Sequence, residues 1–277
     1  MRWLAGKSAR IVGDCPAISA ALEAQGARIV ADGASDILVH VAAPPPVKPA
    51  HELSHAEWRA ALDAGLDQRF LLARDFASAR REAGKGGALL YVGAPEQALG
   101  SDHAAAAGAL GNLAATHAAA PLMIREGRGG AILNVASIEA ERAAPNSAVY
   151  AACKAGMVSF SKSMAIELSG HGIRVNCIAP DHTVTPGNQG NRAGPVDPAN
   201  WRKRSLDEVD AMNRLIPLGR EGSDGECGDA AVFLCSSLAS YITSVVLPVD
   251  GGTWAAGGWV RGRDGKWTLD EGLSFGG

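Results

Sequence analysis

The chain has 277 residues, of which 47% are hydrophobic and 20% are charged, and its formal net charge is −3. This length suits an α/β domain with a sizeable core, and the nearly balanced charge excludes electrostatic attraction to nucleic acid or to an anionic membrane. Five scattered cysteines without a Cys-x-x-Cys pair predict thiols in a reducing cytoplasm and no metal site. No secretory signal is visible, and polar residues interrupt the alanine-rich stretch from His103 to Met123, which favours a buried helix over a membrane span.

Short β-branched runs alternate with longer alanine-rich segments, which is typical of a parallel sheet covered by helices. In chain order, the predicted strands are Ala9–Val12, Ala27–Val30, Asp36–Ala42, Ala88–Val92, Ala131–Ala136, Arg174–Ile178 and Ser244–Val249. The predicted helices are Ala17–Gln25, Ala56–Arg81, Asp102–Arg125, Val149–Ser169 and a segment near Gly225–Ser237. We therefore expect a Rossmann-like, doubly wound α/β fold with about seven strands in one sheet, as a single domain over residues 1–277.

Two segments are too rich in proline and glycine for regular structure. Residues 181–201 hold three prolines and three glycines, and a loop of this length in a compact domain is typically functional, here as a lid over a pocket. The glycine-rich tail, residues 251–277, carries Trp254, Trp259 and Trp267. Such tryptophans favour docking onto a neighbouring surface over exposure to water.

An internal repeat is visible in the middle of the chain. Gly86–Glu96 (GGALLYVGAPE) resembles Gly129–Glu139 (GGAILNVASIE), and the helices that follow also align. Stacked βα units need similar patterns, so convergence and a true duplication both explain the likeness. In either case only the second copy retains reactive side chains.

Three residues carry the chemistry. Ser137 ends a predicted strand, Tyr150 follows thirteen residues later, and Lys154 lies one helical turn after the tyrosine. Positions i and i+4 share a helix face, so the ammonium should lie beside the phenol. A neighbouring cation favours the ionised oxygen of a phenol, which makes tyrosine a usable acid/base. Serine could hold the oxygen of an alcohol or carbonyl substrate.

These residues precede the segments GIRVNCIAP and LPVDGG, and in that order they resemble the second half of the short-chain dehydrogenase/reductase family over about residues 129–253. The resemblance implies that Tyr150 is the general acid/base, that Lys154 assists it and holds a cofactor ribose, and that Ser137 orients substrate. It also implies that Thr183 and Thr185 contact NAD or NADP, and that the protein is a homodimer or homotetramer. His182 follows Asp181, where the family usually has glycine, and is a candidate substrate contact.

The first half departs from the family pattern. A dinucleotide needs a glycine-rich turn after the first strand, so that backbone amides can approach the diphosphate. Here only Gly13 remains of the usual glycines, and Asp14 adds negative charge. Asp32, after the second strand, lies near the position of an acidic residue that holds the adenosine ribose.

The family's strand before its proton-relay asparagine can be matched in two ways. In the first register this strand is DILVHVAAPPP, and Gly65 takes the place of the asparagine. In the second, which we slightly prefer, the strand is Ala88–Val92 and Gly108 takes that place. The short connection Ala31–Ser35 counts against the second register, because parallel neighbours need a longer crossover.

The sequence therefore favours an NAD(P)-dependent oxidoreductase that interconverts a secondary alcohol and a ketone, and the long loop and the tryptophans of the tail suggest that the small-molecule substrate is sizeable and largely apolar. Two alternatives remain open. One is a non-catalytic subunit that has lost dinucleotide binding and pairs with an active homologue in a hetero-oligomer. The other is a redox-neutral enzyme with the same fold.

Overall fold

The computed structural model describes residues 2–13, 15–41, 54–92, 102–126, 128–143, 147–185 and 203–269. Within these residues, seven parallel strands form one sheet with helices on both faces. This arrangement confirms the predicted doubly wound, Rossmann-like α/β fold.

The elements of the described chain follow the predicted alternation. The sheet consists of β1 (Ser8–Val12), β2 (Arg28–Val30), β3 (Ile37–Val41), β4 (Gly87–Val92), β5 (Gly130–Val135), β6 (Ile173–Pro180) and β9 (Val246–Val249). Two short pairs lie apart from it, β7 (Thr183–Val184) with β8 (Gly222–Ser223), and β10 (Val260–Arg261) with β11 (Trp267–Thr268). The helices are α1 (Pro16–Ala24), α2 (His55–Leu62), α3 (Gln68–Glu82), α4 (Asp102–Glu126), α5 (Ala148–Ser169), α6 (Leu206–Leu215), α7 (Asp224–Cys235) and α8 (Thr253–Ala256).

Two apolar layers cover the sheet. On one face α1 and α7 pack over Val39, Leu90 and Leu133, and on the other α3, α4 and α5 pack over Leu89 and Ile132. Successive strand residues point to opposite faces, so strands covered on both sides become the continuous apolar runs seen in the sequence.

The strand order is β2-β1-β3-β4-β5-β6-β9. β1 therefore lies between β2 and β3, and the short connection that counted against the second register does not join neighbours. The connection from β2 to β3 begins after Val30, which pairs with Arg10, and ends before Ile37, which pairs with Ala9. It therefore has to run back along β1 by only one residue. The three-residue length of β2 makes this short return possible. Both candidate strands of the two registers are in the sheet, side by side as β3 and β4.

Two helical segments differ from their predictions. The predicted helix Ala56–Arg81 is interrupted by a wide, π-helical turn at Asp63–Asp67, which separates α2 from α3. This turn contains Gly65, whose backbone deforms at low cost. Helix α6 was not predicted, although Ser205 and Glu208 form a capping box at its start.

The beginning of the tail is structured. Asp250 accepts hydrogen bonds from the backbone N–H groups of Gly252 and Trp254, which starts α8. The Arg261 guanidinium lies 4.8 Å from the centre of the Trp267 ring in the β10–β11 hairpin. Residues 270–277, the end of the predicted tail, lie outside the described residues, as does the part of the predicted lid from residue 186 to 201.

No helix in the described part of the chain combines the length and apolar character needed to cross a lipid bilayer. Helix α4 includes the alanine-rich stretch that came nearest to such a span in the sequence. Its second half packs against the sheet through Ala115, Ala119 and Met123.

Candidate functional site

Ser137 lies just beyond the carboxyl end of β5, with extended backbone and 7% of its surface exposed. The N–H of Ala136 donates to the carbonyl of Ile178, which fixes the strand end against β6. The Ser137 Oγ accepts a hydrogen bond of 3.2 Å from the Glu139 N–H at the start of a short 3-10 turn. Because this bond uses a lone pair of the oxygen, the hydroxyl proton can still be donated to another group.

Tyr150 and Lys154 lie in the first turns of α5. The Lys154 Nζ is 5.3 Å from the centre of the Tyr150 ring, so the two side chains share a helix face as their spacing predicts. Nζ also donates a 3.1 Å hydrogen bond to the carbonyl of Val135, the last residue of β5. Lys154 is only 5% exposed, and this bond ties the buried ammonium to the strand that leads to Ser137. The structure thus brings Ser137, Tyr150 and Lys154 to the carboxyl end of the sheet.

A charged cluster adjoins Ser137 and links the ends of β5 and β6. The Arg142 Nη2 is 2.8 Å from Glu139 Oε1 and 3.5 Å from Asp181 Oδ2, and the His182 Nε2 is 3.2 Å from the same Asp181 oxygen. Burial raises the pKa of the Asp181 carboxyl, although His182 and Arg142 act in the opposite direction. Burial alone would lower the pKa of Arg142, but its hydrogen bond to Glu139 and the nearby carboxylates raise it.

His182 occupies an unusual backbone position. Its φ is +39°, which a residue other than glycine seldom adopts, and its carbonyl accepts a 3.1 Å hydrogen bond from the Gly222 N–H. Strained residues of this kind persist at functional sites when the surrounding structure holds them. Thr183 follows in β7 and donates from Oγ1 to the Asp181 carbonyl at 3.1 Å, while Thr185 is half-buried at the last described position before the gap.

Sequence reasoning missed Glu139 and Arg142 as parts of this cluster. Both follow Ser137 within the segment SIEAER, whose charge pattern could have drawn attention to them. The pairing of Arg142 with Asp181 depends on the relative level of two strand ends, which the sequence does not reveal. Among the described side chains, no group of three residues could hold a metal ion.

Gly13 and Asp32 also lie at the carboxyl end of the sheet, but β3 and β4 separate them from the strand that leads to Ser137. Gly13 has a φ of +99°, and a Cβ at this position would lie 2.3 Å from the carbonyl oxygen of Val41 on β3. The glycine is therefore required by the contact between two strand ends. Asp32 is exposed, two residues beyond β2.

The family resemblance implies a bound dinucleotide, NAD or NADP. The residues of the second half of the chain fit the nicotinamide end of this cofactor. The Lys154 ammonium has three N–H donors and uses one of them for the Val135 carbonyl, and the Ser137 hydroxyl can also donate. The turn after β1 does not fit a diphosphate. A Cβ at Gly13 would lie 2.3 Å from the Val41 carbonyl oxygen, and Pro16 at the start of α1 has no N–H.

The amino-acid sequence is similar to that of known reductases. A family model described as enoyl-(acyl carrier protein) reductase matches residues 96–253, which is more than half of the chain. The chain is 42% identical over 128 residues to a 3-oxoacyl-(acyl-carrier-protein) reductase of Chlamydia muridarum, a match that covers 45% of each protein. The chain thus matches about half the length of such curated relatives.

Solved structures resemble the chain over a larger share of its length. A gluconate 5-dehydrogenase from Burkholderia cenocepacia J2315, in complex with NADP and tartrate, has a TM-score of 0.64 at 24% identity and covers 92% of this chain and 98% of its own. A carveol dehydrogenase from Mycobacterium avium, in complex with NAD, has a TM-score of 0.62 at 22% identity and covers 92% of this chain and 100% of its own. These likenesses show the same fold.

Proposed function

Because the chain belongs to the short-chain dehydrogenase/reductase family, we propose that it is an oxidoreductase that interconverts a secondary alcohol and a ketone. The observation that carries this proposal is the position of Lys154. Its ammonium lies beside the Tyr150 ring and is hydrogen-bonded to the end of the strand that leads to Ser137.

In this proposal Tyr150 is the acid/base that exchanges a proton with the substrate oxygen. The Lys154 ammonium lies beside the Tyr150 ring, and because Lys154 is nearly fully buried, solvent screens its charge only weakly. The Val135 carbonyl holds the ammonium in place, so its interaction with the ring needs no rearrangement during the reaction.

Ser137 would donate a hydrogen bond from its hydroxyl to the same substrate oxygen. The Glu139 N–H holds the Ser137 Oγ from the other side, so the hydroxyl is oriented before substrate binds. His182 would contact a polar group of the substrate, since its Nε2 lies 3.2 Å from the Asp181 carboxylate and its backbone has a positive φ. The substrate is a small molecule whose alcohol or ketone group lies at the carboxyl end of the sheet.

A nicotinamide dinucleotide, NAD or NADP, supplies or accepts the hydride in this family when it is bound. Lys154, Tyr150, Thr183 and Thr185 are the residues that would hold its nicotinamide riboside end. Lys154 retains N–H donors beyond the one used on Val135, which supports this role. The non-catalytic alternative is not proposed, because Ser137, Tyr150 and Lys154 all lie at the carboxyl end of the sheet.

The substitution Tyr150→Phe tests the proposed chemistry. It removes the exchangeable proton and keeps the ring that Lys154 contacts, so turnover of a panel of secondary alcohols with NAD or NADP should fall by at least about 100-fold. Binding of reduced cofactor, followed by nicotinamide fluorescence, should fall far less than turnover, because Lys154, Thr183 and Thr185 remain to hold the riboside. Tyr241→Phe is the matched control, because Tyr241 is fully exposed and should keep full activity. Equal turnover by the Tyr150→Phe variant and the wild type would refute the assignment.

A further inference from the structure

The internal repeat of the sequence occupies neighbouring strands of the sheet. Gly87 pairs with Gly130, and the pairing continues residue by residue to Tyr91 and Asn134. Each residue of β4 therefore lies opposite its counterpart in β5. The unit β4–α4 thus repeats the pattern of the βα unit that carries Ser137, Tyr150 and Lys154, and its strand lies directly before that unit's strand in the sheet.

The copies share the same contact at their amino ends. Gly86, Gly129 and Gly172 follow one another at equal intervals along the chain and stack across β4, β5 and β6. A Cβ on Gly86 would lie 2.9 Å from the Gly129 carbonyl oxygen, and one on Gly129 would lie 2.5 Å from that of Gly172. The additional unit is therefore inserted into the sheet with the same close backbone packing as its neighbours.

This additional strand increases the distance between the two halves of the expected cofactor site. In the classic Rossmann order 3-2-1-4-5-6, one strand separates the first from the fifth. Here β3 and β4 both lie between β1 and β5. Since neighbouring strands are about 4.8 Å apart, the turn after β1 is displaced from the Ser137 strand by about 5 Å more than in the classic order.

Asp32 is displaced by the same amount, because it follows β2, which lies on the far side of β1 as it does in the classic order. The end of β1 itself lies at the point where the strand order reverses, between β1 and β3, which is where ligands bind in sheets of this kind. Here Gly13 approaches Val41 so closely that a Cβ on Gly13 would lie 2.3 Å from the Val41 carbonyl oxygen.

We propose that the inserted β4–α4 unit moves the Ser137–Tyr150–Lys154 unit out of reach of the β1 turn, so that a nicotinamide cofactor bound at Tyr150 is not held by Gly13 and Asp32. This inference rests on the proposed function, because it concerns the cofactor of the same site. It follows that the nicotinamide mononucleotide end supplies most of the binding free energy, and that Asp32 does not select NAD over NADP.

The experiment measures binding to the full-length protein by calorimetry. The probes are NADH, NADPH and reduced nicotinamide mononucleotide, with ADP-ribose as a competitor. We expect the dissociation constants of NADH and the mononucleotide to agree within about threefold, and millimolar ADP-ribose not to displace NADH. Asp32→Asn should leave the affinities for NADH and NADPH unchanged, whereas Lys154→Met should weaken NADH and the mononucleotide alike.

Other results have distinct meanings. NADH affinity at least about tenfold above that of the mononucleotide, together with displacement by ADP-ribose or a loss of NADH binding in Asp32→Asn, would overturn this inference and leave the proposed function standing. Failure of the wild-type protein to bind NADH, NADPH and the mononucleotide would overturn the proposed function and this inference with it.

Discussion

At the scale of single residues, the face of the sheet under α3 and α4 contains a buried polar cluster. Arg69 has no exposed surface and donates a hydrogen bond to the side chain of Asn112. His40 on β3 and Tyr91 on β4 are almost fully buried near this cation. Burial, with a smaller effect of the Arg69 charge, lowers the pKa of His40 from 6.5 to about 4, so that this imidazole is neutral in the folded protein at neutral pH.

His40 should make the protein sensitive to mild acid. The unfolded chain takes up a proton at His40 below about pH 6.5, whereas the folded chain does so only near pH 4. The free energy of unfolding should therefore be constant above pH 6.5 and fall as the pH decreases to 4, by at most about 3 kcal/mol. Urea unfolding followed by circular dichroism across this range measures the slope. His40→Gln should remove most of it, and His171→Gln, at an exposed position, should retain it. An unchanged slope in His40→Gln would contradict the assignment.

Single residues also set the limit of what the sequence could reveal about the site. The spacing of Tyr150 and Lys154 predicts their contact, because four residues are one turn of helix and this geometry is local. The bond from Lys154 to Val135 joins a helix to a strand, and the pairing of Arg142 with Asp181 joins two strand ends. Such pairs depend on how far each strand extends, so no local pattern predicts them.

At the scale of elements, the strands were predicted well because most of them, such as β3 and β5, are apolar runs covered on both faces. Their order was harder to predict. Since parallel strands are joined by crossovers, consecutive strands can lie on either side of β1, as β2 and β3 do. The repeat in the sequence pointed to two similar βα units, but only the pairing of β4 with β5 places them side by side.

The contact between β5 and β6 gives a test of this packing. Gly129 and Gly172 both have a φ of +69°, so alanine is similarly strained at either position. A Cβ at Gly129 would lie 2.5 Å from the Gly172 carbonyl oxygen, whereas a Cβ at Gly172 would find its nearest atom, the Gly129 Cα, at 3.5 Å. Gly129→Ala should therefore lower the free energy of unfolding by at least about 1 kcal/mol more than Gly172→Ala. Urea unfolding of both variants provides the measurement, and equal losses would show that the backbone approach is not limiting.

At the scale of the whole molecule, α5 presents a surface that the described chain does not cover. Its exposed face carries mostly small residues at helical spacing, namely Val149, Ala152, Gly156, Ser159, Ser163 and Ile166. Ile166 is 75% exposed. Small side chains allow two helices to approach closely, so we expect this face to pack against another copy of the chain in a dimer or tetramer.

Gly156→Phe tests this assembly. A Cβ on Gly156 would meet no atom within 4 Å, so the larger side chain fits the isolated chain but obstructs a helix packed against it. Sedimentation should show the wild-type protein as a dimer or tetramer and the variant at lower mass, with unchanged circular dichroism. Gly225→Phe, in the first turn of α7, is the control and should keep the wild-type mass, because a Cβ there would make only an ordinary contact, at 3.7 Å from the Ser223 Oγ. A monomeric wild-type protein would exclude assembly through this face.

The outer strands of the sheet influence how such copies can associate. β2 has three residues and β9 has four, so each edge offers few backbone groups to a foreign strand. Long open edges invite strand addition and amyloid-like growth, and short edges limit it. The short outer strands thus limit extension of the seven-stranded sheet at both sides, which favours contacts between copies of this chain through helices such as α5.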